Sequence, residues 1–431
     1  MAYRFYRFLT ELLFWLLSPW RAWTAVGGSR EWRERLGGLP RDAAGGVWVH
    51  VASVGEVRAS IPLVRALSGM DLPVMLTVVT RTGRDVAERA LAGDATIAHA
   101  PLDFPRAVRE ALERLRPLAV LLVETELWPN LVVEAKRSGA AVAVVNGRLS
   151  ESGLRRSQAP FSPVGVAAAG LDAALCQTDG DRQRFVRLGV AEDSAVVVGN
   201  MKFDTSAAPP GPRDREALRT DLGLATSSRA IVFGSVRPDE EASVAAAAAR
   251  IAAAVSEARF VVAPRHLERV RPIAELLADR GIGVTLRSEG RLERDGDALL
   301  LDTTGELAAV YGAAEVAFVG GTLAPYGGHN PLEPAAVGTP VLLGPHTESC
   351  AEAARLLIGH GGAVRVADAA ELTAAAVELL TDEPRRSEVA RSALEAVREG
   401  AGATVRTIAL LEDRLCLGPP AGPRRERGGT S

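Results

Sequence analysis

From residue 47 onward, short apolar runs alternate with longer stretches rich in charge or alanine. The runs at 47–51 (VWVHV), 74–80, 118–124, 140–146, 172–177 and 195–199 predict strands, with a helix beginning over 60–67 and a helix entry at 80–83 (TRTG). Residues 207–212 (AAPPGP) break the pattern as a linker. It then restarts, with strands at 230–234, 259–263, 298–301, 314–319 and 341–343 and an alanine-rich helix over 242–255. Such alternation predicts an α/β protein, and 431 residues are many for a single core. We divide the chain into an N-terminal anchor (1–24), a first doubly wound, Rossmann-like domain (25–206), a linker (207–213), a second such domain (214–416) and a disordered basic tail (417–431). Polar residues cluster just past the predicted strand ends, where open parallel sheets bind ligands, so the two domains are expected to face each other across a cleft lined by these loops.

Composition adjusts this picture at three points. A net charge of −3 gives no global argument for nucleic acid. Cys176, Cys350 and Cys416 lie far apart without a CxxC spacing, and the six histidines and the carboxylates form no metal-ligand pattern, so no metal or cofactor is expected. Only two of the 50 Lys and Arg residues are lysines, Lys136 and Lys202, and asparagine is reduced to Asn130, Asn146, Asn200 and Asn330. Rare residues kept in so biased a chain mark segments of interest: ETELWPN, VVNGRLS, GNMKFD and GGHNPLEP.

The N-terminus departs from the rest. Nine of the 20 aromatic residues fall in the first 32 positions, interleaved with arginines, whereas the uncharged core at 12–20 spans nine residues. About 20 are needed to cross a bilayer. Aromatics mixed with arginine fit a helix lying at a membrane surface. A signal peptide is the competing reading, opposed by Glu11, by tryptophans beyond the apolar run and by the lack of a small-x-small cleavage site.

The stretch 320–346 (GGTLAPYGGHNPLEPAAVGTPVLLGPH) carries the most chemistry. A strand leads into the glycine pairs Gly320-Gly321 and Gly327-Gly328, which let backbone approach a ligand, and Asn330 is expected to cap a helix with Pro331 in its first position and Glu333 in its third. Strand, glycine-rich turn and helix start together suit an anion or nucleotide, although Asn330 and Glu333 would serve equally as a capping box.

These segments resemble the 3-deoxy-D-manno-octulosonic acid (Kdo) transferases. The matching pieces run nearly the whole chain: the aromatic N-terminus, HVASVGEV, PLDFPRAV, ETELWPN, VVNGRLSE, GNMKFD, APRH, DTTGEL and GGHNPLEPAAVGTPVLLGPH. The resemblance implies a GT-B fold and inverting transfer of Kdo from CMP-Kdo to a lipid A precursor in lipopolysaccharide synthesis. It also implies attachment to the cytoplasmic face of the inner membrane. One departure is the loop Val236-Arg237-Pro238, where the family more often carries Thr and a basic residue.

An inverting transfer needs a carboxylate to take the acceptor's proton. The family position is Glu56, in a Ser-Val-Gly-Glu turn after the first strand, which also reads as an ordinary carboxylate in the first turn of a helix; Glu126 is a supporting carboxylate. The resemblance carries CMP contacts onto Pro264, Arg265, Thr304, Gly305, Glu306, Asn330, Pro331, Leu332 and Glu333, with Lys202 on the departing phosphate or the sugar carboxylate. Two alternatives stay open: another GT-B sugar-nucleotide enzyme, such as an epimerase, and a non-catalytic membrane-associated binding protein of the same fold.

Overall fold

The computed structural model describes residues 2–16, 29–204, 209–294, 296–415 and 417. These fall into two compact units: residues up to 204 together with those from 401 on, and residues 209–400.

The first unit is built on β1 (Val47–Val51), β2 (Val74–Val78), β3 (Thr96–His99), β4 (Ala119–Val123), β5 (Ala141–Gly147), β6 (Ala173–Cys176) and β7 (Ala195–Val197). All pairings are parallel, in the order β3-β2-β1-β4-β5-β6-β7. Every residue of β1, β2 and β4 is buried, because helices cover both faces. On β1, Val47, Val49 and Val51 enter one core while Trp48 enters the other.

The second unit repeats the plan with β8 (Arg229–Val236), β9 (Ala258–Pro264), β10 (Val284–Leu286), β11 (Ala298–Leu300), β12 (Val316–Val319), β13 (Val341–Leu343) and β14 (Ala363–Arg365). Its order is β10-β11-β9-β8-β12-β13-β14, again wholly parallel. In each sheet the chain reverses direction once, between β1 and β4 and between β8 and β12. These are the switch points at which doubly wound sheets open a crevice at their carboxyl ends.

The predicted domain limits need correction at the C-terminus. Helix Ala403–Leu415 belongs to the first unit, not the second. The Asp204 carboxylate accepts the backbone N–H of Gly402 and of Thr404, each at 2.6 Å, and Arg406 Nε donates to Val198 O at 2.7 Å. Ala403 and Leu411 join Val198, Met201 and Leu67 in the core, as does Leu417, the first residue of the predicted tail. The helix's apolar stripe shows that it must pack but not on which sheet. Helix Pro212–Leu222 also starts inside the predicted linker, with Pro212 in its first turn. Residues 205–208, 17–24 of the anchor and 418–431 of the tail lie outside the described residues.

Helix Ala2–Leu16 presents its apolar side outward. Phe5, Phe8, Leu9, Leu12 and Leu16, at helical spacing, are exposed, as are Leu13 and Trp15. The opposite side docks through polar groups. Tyr6 Oη donates to Asp103 Oδ2 at 2.9 Å, Arg7 pairs with the buried Glu134, and Asn130 Nδ2 donates to Thr10 Oγ1 at 3.2 Å. Phe14 is buried, edge-on to Phe104.

Candidate functional site

In the first unit the carboxyl ends of β1 and β4 bring three carboxylates together. After β1, Ser53 caps helix Val54–Gly69 by accepting Glu56 N, and Glu56 turns back over the helix start. Its Oε2 accepts Ala52 N at 2.7 Å and its Oε1 accepts Ser53 Oγ at 2.8 Å. Those bonds favour the carboxylate, but burial outweighs them and the charges of Glu126 and Glu124 add to it, so the Glu56 carboxyl is pushed up to about 7. A helix-start role is therefore present, and it leaves a proton acceptor that titrates near neutrality.

Past β4 the chain carries Glu124 in left-handed backbone, φ +58°, and then Glu126. Glu126 Oε2 accepts Trp128 Nε1–H at 2.8 Å; burial nevertheless raises its proton affinity, with Glu124 contributing. Trp128, partly buried against the core, thus also holds a site carboxylate.

Lys202 lies in the same place, in the short turn Met201–Phe203, and its Nζ donates to Glu124 Oε1 at 2.7 Å. The sequence placed it on the donor's anion; the structure commits it to a carboxylate that the sequence reading had passed over. Asparagines fix this turn: Asn200 Oδ1 accepts Lys202 N at 3.0 Å, and Asn146 Oδ1, at the end of β5, accepts Met201 N at 2.9 Å. Asn130 instead anchors the N-terminal helix, and its Nδ2 also donates to Asp103 O.

In the second unit the corresponding position, beyond β8 and β12, is cationic. Arg237 Nε lies 3.3 Å from His329 Nε2, and its Nη1 lies 3.1 Å from His266 Nε2. Its guanidinium also sits over the Tyr326 ring, 4.8 Å from the centroid. Burial and the charges of Arg237, Arg265 and His266 hold the His329 imidazole down at about 4. Nearby acids are already engaged. Asp239 accepts Tyr326 Oη, and the fully buried Glu240 accepts four backbone N–H groups, from Arg237, Gly321, Leu323 and Ala324. Glu240 thereby fastens the glycine loop after β12 to the turn after β8.

The loop's glycines answer to the protein itself. A Cβ on Gly320 would meet Ser235 O at 2.4 Å and one on Gly327 would meet Ser349 Oγ at 2.4 Å and Ser349 N at 3.0 Å, so packing within the protein already requires them. Gly234 is bound in the same way, its missing Cβ leaving room for the Tyr311 hydroxyl.

Of the residues carried over from the resemblance, Pro264 ends β9 and Arg265 follows it beside His329. Asn330 caps differently from expectation: helix Leu332–Ala336 starts one residue later, with Pro331 as its cap. Asn330 Oδ1 accepts Leu332 N at 3.1 Å, its Nδ2 donates to Glu333 Oε1 at 3.4 Å, and burial, with the Glu333 charge adding to it, raises the proton affinity of Tyr311. Strand β12 accordingly begins at Val316, two residues late. Thr304, Gly305 and Glu306 follow β11; Gly305 has φ +95°, and the Glu306 carboxylate is taken up by Arg287 and Thr303. Arg237, Glu240, His266 and His329 were missed, although the departure at 236–238 drew attention to the first. Among the described residues no group of three or more His, Cys, Asp or Glu side chains could hold a metal ion.

Comparison with known proteins places this geometry. Residues 30–205 match the family model described as 3-deoxy-D-manno-octulosonic-acid transferase (kdotransferase). A 3-deoxy-D-manno-octulosonic acid transferase of Bordetella pertussis is 38% identical over 386 residues, covering 87% of this chain and 89% of the relative. The one from Haemophilus influenzae is 31% identical over 383 residues, covering 86% and 87%. Among solved structures, UDP-GlcNAc 2-epimerase from Neisseria meningitidis bound to UDP-GlcNAc aligns with a TM-score of 0.62 at 13% identity, covering 85% of this chain and 99% of that one. A glycosyltransferase from Rickettsia africae aligns at 0.59 and 11% identity, covering 86% and 98%. At such identities these likenesses establish the GT-B fold alone.

Proposed function

Because the chain belongs to the 3-deoxy-D-manno-octulosonic acid transferase family, we propose a division of labour for its Kdo transfer in lipopolysaccharide synthesis: the first unit serves the acceptor and the second holds the CMP-Kdo donor. The observation that carries this reading is the opposite character of the two switch points. One presents a carboxyl near pH 7 beside further carboxylates; the other presents Arg237, Arg265, His266 and His329 with the nearby acids Asp239 and Glu240 already bonded.

The chemistry follows. An acceptor hydroxyl oxygen bonds to the anomeric carbon of Kdo while the bond from that carbon to the phosphate oxygen breaks. Glu56 takes the hydroxyl proton, and CMP leaves with the bonding pair. Positive charge developing on the sugar ring is met by Glu126 and Glu124, as carboxylates meet the similar transition state in glycoside hydrolysis. Lys202 holds Glu124 in place. Arg237, Arg265 and the histidines receive the donor's anionic groups, and Asn330–Glu333 and Thr304–Glu306 supply further contacts to CMP.

The acceptor we assign is a lipid A precursor, and the attachment a peripheral one on the cytoplasmic face of the inner membrane. Support comes from helix Ala2–Leu16, whose exposed stripe of Phe5, Phe8, Leu9, Leu12 and Leu16 suits insertion among lipid headgroups. No described helix is long and apolar enough to cross a membrane. The test is incubation with CMP-Kdo and a lipid A precursor on vesicles, with products weighed by mass spectrometry. Addition of Kdo to the precursor is expected; consumption of CMP-Kdo without a heavier lipid would refute the acceptor assignment.

A further inference from the structure

His50 is fully buried on β1, within reach of the carboxylate site, and takes no part in the chemistry above. Its Nδ1 lies 3.0 Å from Thr77 Oγ1 on β2. The same hydroxyl oxygen accepts the indole N–H of Trp48 at 2.8 Å. With Trp48 donating into it, the hydroxyl has its own single proton left to give, and Nδ1 is the group placed to accept it. The imidazole proton then sits on Nε2. The other tautomer would leave both the Thr77 proton and the Nε2 lone pair unpartnered in the core, at roughly 1–3 kcal/mol for each buried group.

Nε2 has no nitrogen or oxygen partner among the described residues. What lies beside the ring is Trp128, with centroids 4.5 Å apart and planes at 70°. That is edge-to-face geometry, in which a ring N–H can bond weakly to an indole face. Burial holds the imidazole down at about 3, so it stays neutral at working pH. The indole N–H of Trp128 is in turn the donor to Glu126 Oε2.

We propose that His50 is a positioning residue: its Nε2–H sets the plane of Trp128, and through the Trp128 indole N–H it fixes the rotamer of Glu126 beside Glu56. This rests on the reading of Glu126 as a functional carboxylate. The chain Thr77–His50–Trp128–Glu126 ties a catalytic-loop side chain to the rigid centre of the sheet, which a loop carboxylate otherwise lacks.

The test is a double-mutant cycle on the full chain, measuring kcat and KM for Kdo transfer with folding monitored by circular dichroism. His50→Phe keeps a ring against Trp128 but removes the N–H and the Thr77 bond. It should lower kcat about tenfold with the KM for CMP-Kdo little changed. Placed in a Glu126→Gln background it should cost nothing further, because the group it positions is already gone. Trp128→Phe, which removes the indole N–H together with part of the ring, should behave likewise and carries the test should His50→Phe fail to fold. Equal losses from His50→Phe with and without Glu126 would reduce His50 to packing and overturn the proposal. So would wild-type kcat in both His50→Phe and Trp128→Phe while Glu126→Gln is impaired. A Glu126→Gln enzyme at wild-type rate would instead sink the reading of Glu126, and the relay with it.

Discussion

Glu56→Gln offers the most searching test of the site, because activity and stability should move in opposite directions. The wild-type carboxyl is pushed from its ordinary 4.5 up to about 7 by burial, with Glu126 and Glu124 adding to it. As a base it must be ionised, so turnover should climb with pH: about a tenth of the groups are ionised at pH 6 and about nine tenths at pH 8 for a pKa near 7, a rise of roughly tenfold. Glu56→Gln should flatten that limb and cost about 100-fold or more in turnover. The sign of the stability effect follows from linkage. A carboxyl raised in the folded state binds more protons folded than unfolded, so it lowers stability progressively as pH rises from the unfolded value through 7. At about 1.4 kcal/mol per pH unit, the penalty reaches an upper bound of about 3 kcal/mol at pH 8 and about 1 at pH 5. Solvent reaching this partly exposed group lessens both. Gln carries no such penalty; its Oε1 can still accept from Ala52 N while its Nε2 donates to Ser53 Oγ. Thermal melts of the two proteins should therefore separate at pH 8, with the variant higher, and converge toward pH 5. A variant of near wild-type turnover, or one less stable at pH 8 than at pH 5 relative to wild type, would refute the assignment.

Three further outcomes are expected. Replacing Phe5, Phe8 and Leu12 together by Ser should release the protein from anionic vesicles in a sedimentation assay and leave its melting temperature within about 2 °C, since the side chains are exposed; unchanged pelleting would place attachment elsewhere. Burial and the charges of Arg237, Arg265 and His266 hold His329 down, and binding of CMP-Kdo should offset the charges. Binding should therefore be coupled to proton uptake at pH values above the free imidazole's value of about 4 and weaken as pH rises, visible in calorimetry as a heat that depends on the buffer's ionisation enthalpy and lost in His329→Gln; a buffer-independent heat would exclude it. Kdo transfer should persist in EDTA, with Arg and His side chains meeting the phosphate charge; abolition by chelator with rescue by a divalent ion would contradict this.

Sequence pattern reached the fold through strands buried on both faces. β1 and β13 match the apolar runs that predicted them, because in a parallel sheet the hydrophobic run and the strand coincide. β3, β10 and β14 escaped because they are short edge strands, with side chains too mixed to read as runs. The site was legible where chemistry clusters in sequence, as at Ser53–Glu56 and Glu124–Glu126. It was not legible where distant segments meet: His266 and His329 become neighbours of Arg237 only because β9 and β12 flank β8. Glu240 gave no signal, since a buried carboxylate bonded to four amides looks in sequence like any helix-start acid. Lys202 was singled out by rarity, but rarity does not name a partner, and Glu124 was found only in three dimensions. The N-terminal helix shows a related limit. Its aromatic content pointed to a surface, whereas its polar underside, with Tyr6 on Asp103 and Arg7 on Glu134, had no sequence signature. Deleting the helix would remove one donor from each of those acids, so substitutions on its outer face make the cleaner probe.

The return of helix Ala403–Leu415 to the first unit has a consequence for biosynthesis. Translation delivers β1 through β7 well before the helix that completes the core around Val198 and Met201. At 5–20 residues per second, the intervening unit takes on the order of 10–40 s to emerge. Through that interval the nascent first unit carries an open apolar seat on the ribosome, a natural substrate for chaperones, while residues 209–400 can fold as a contiguous insert. Vectorial folding of this protein thus ends where its spatial core began. A stop codon near residue 400 should leave the second unit intact and the first one aggregation-prone.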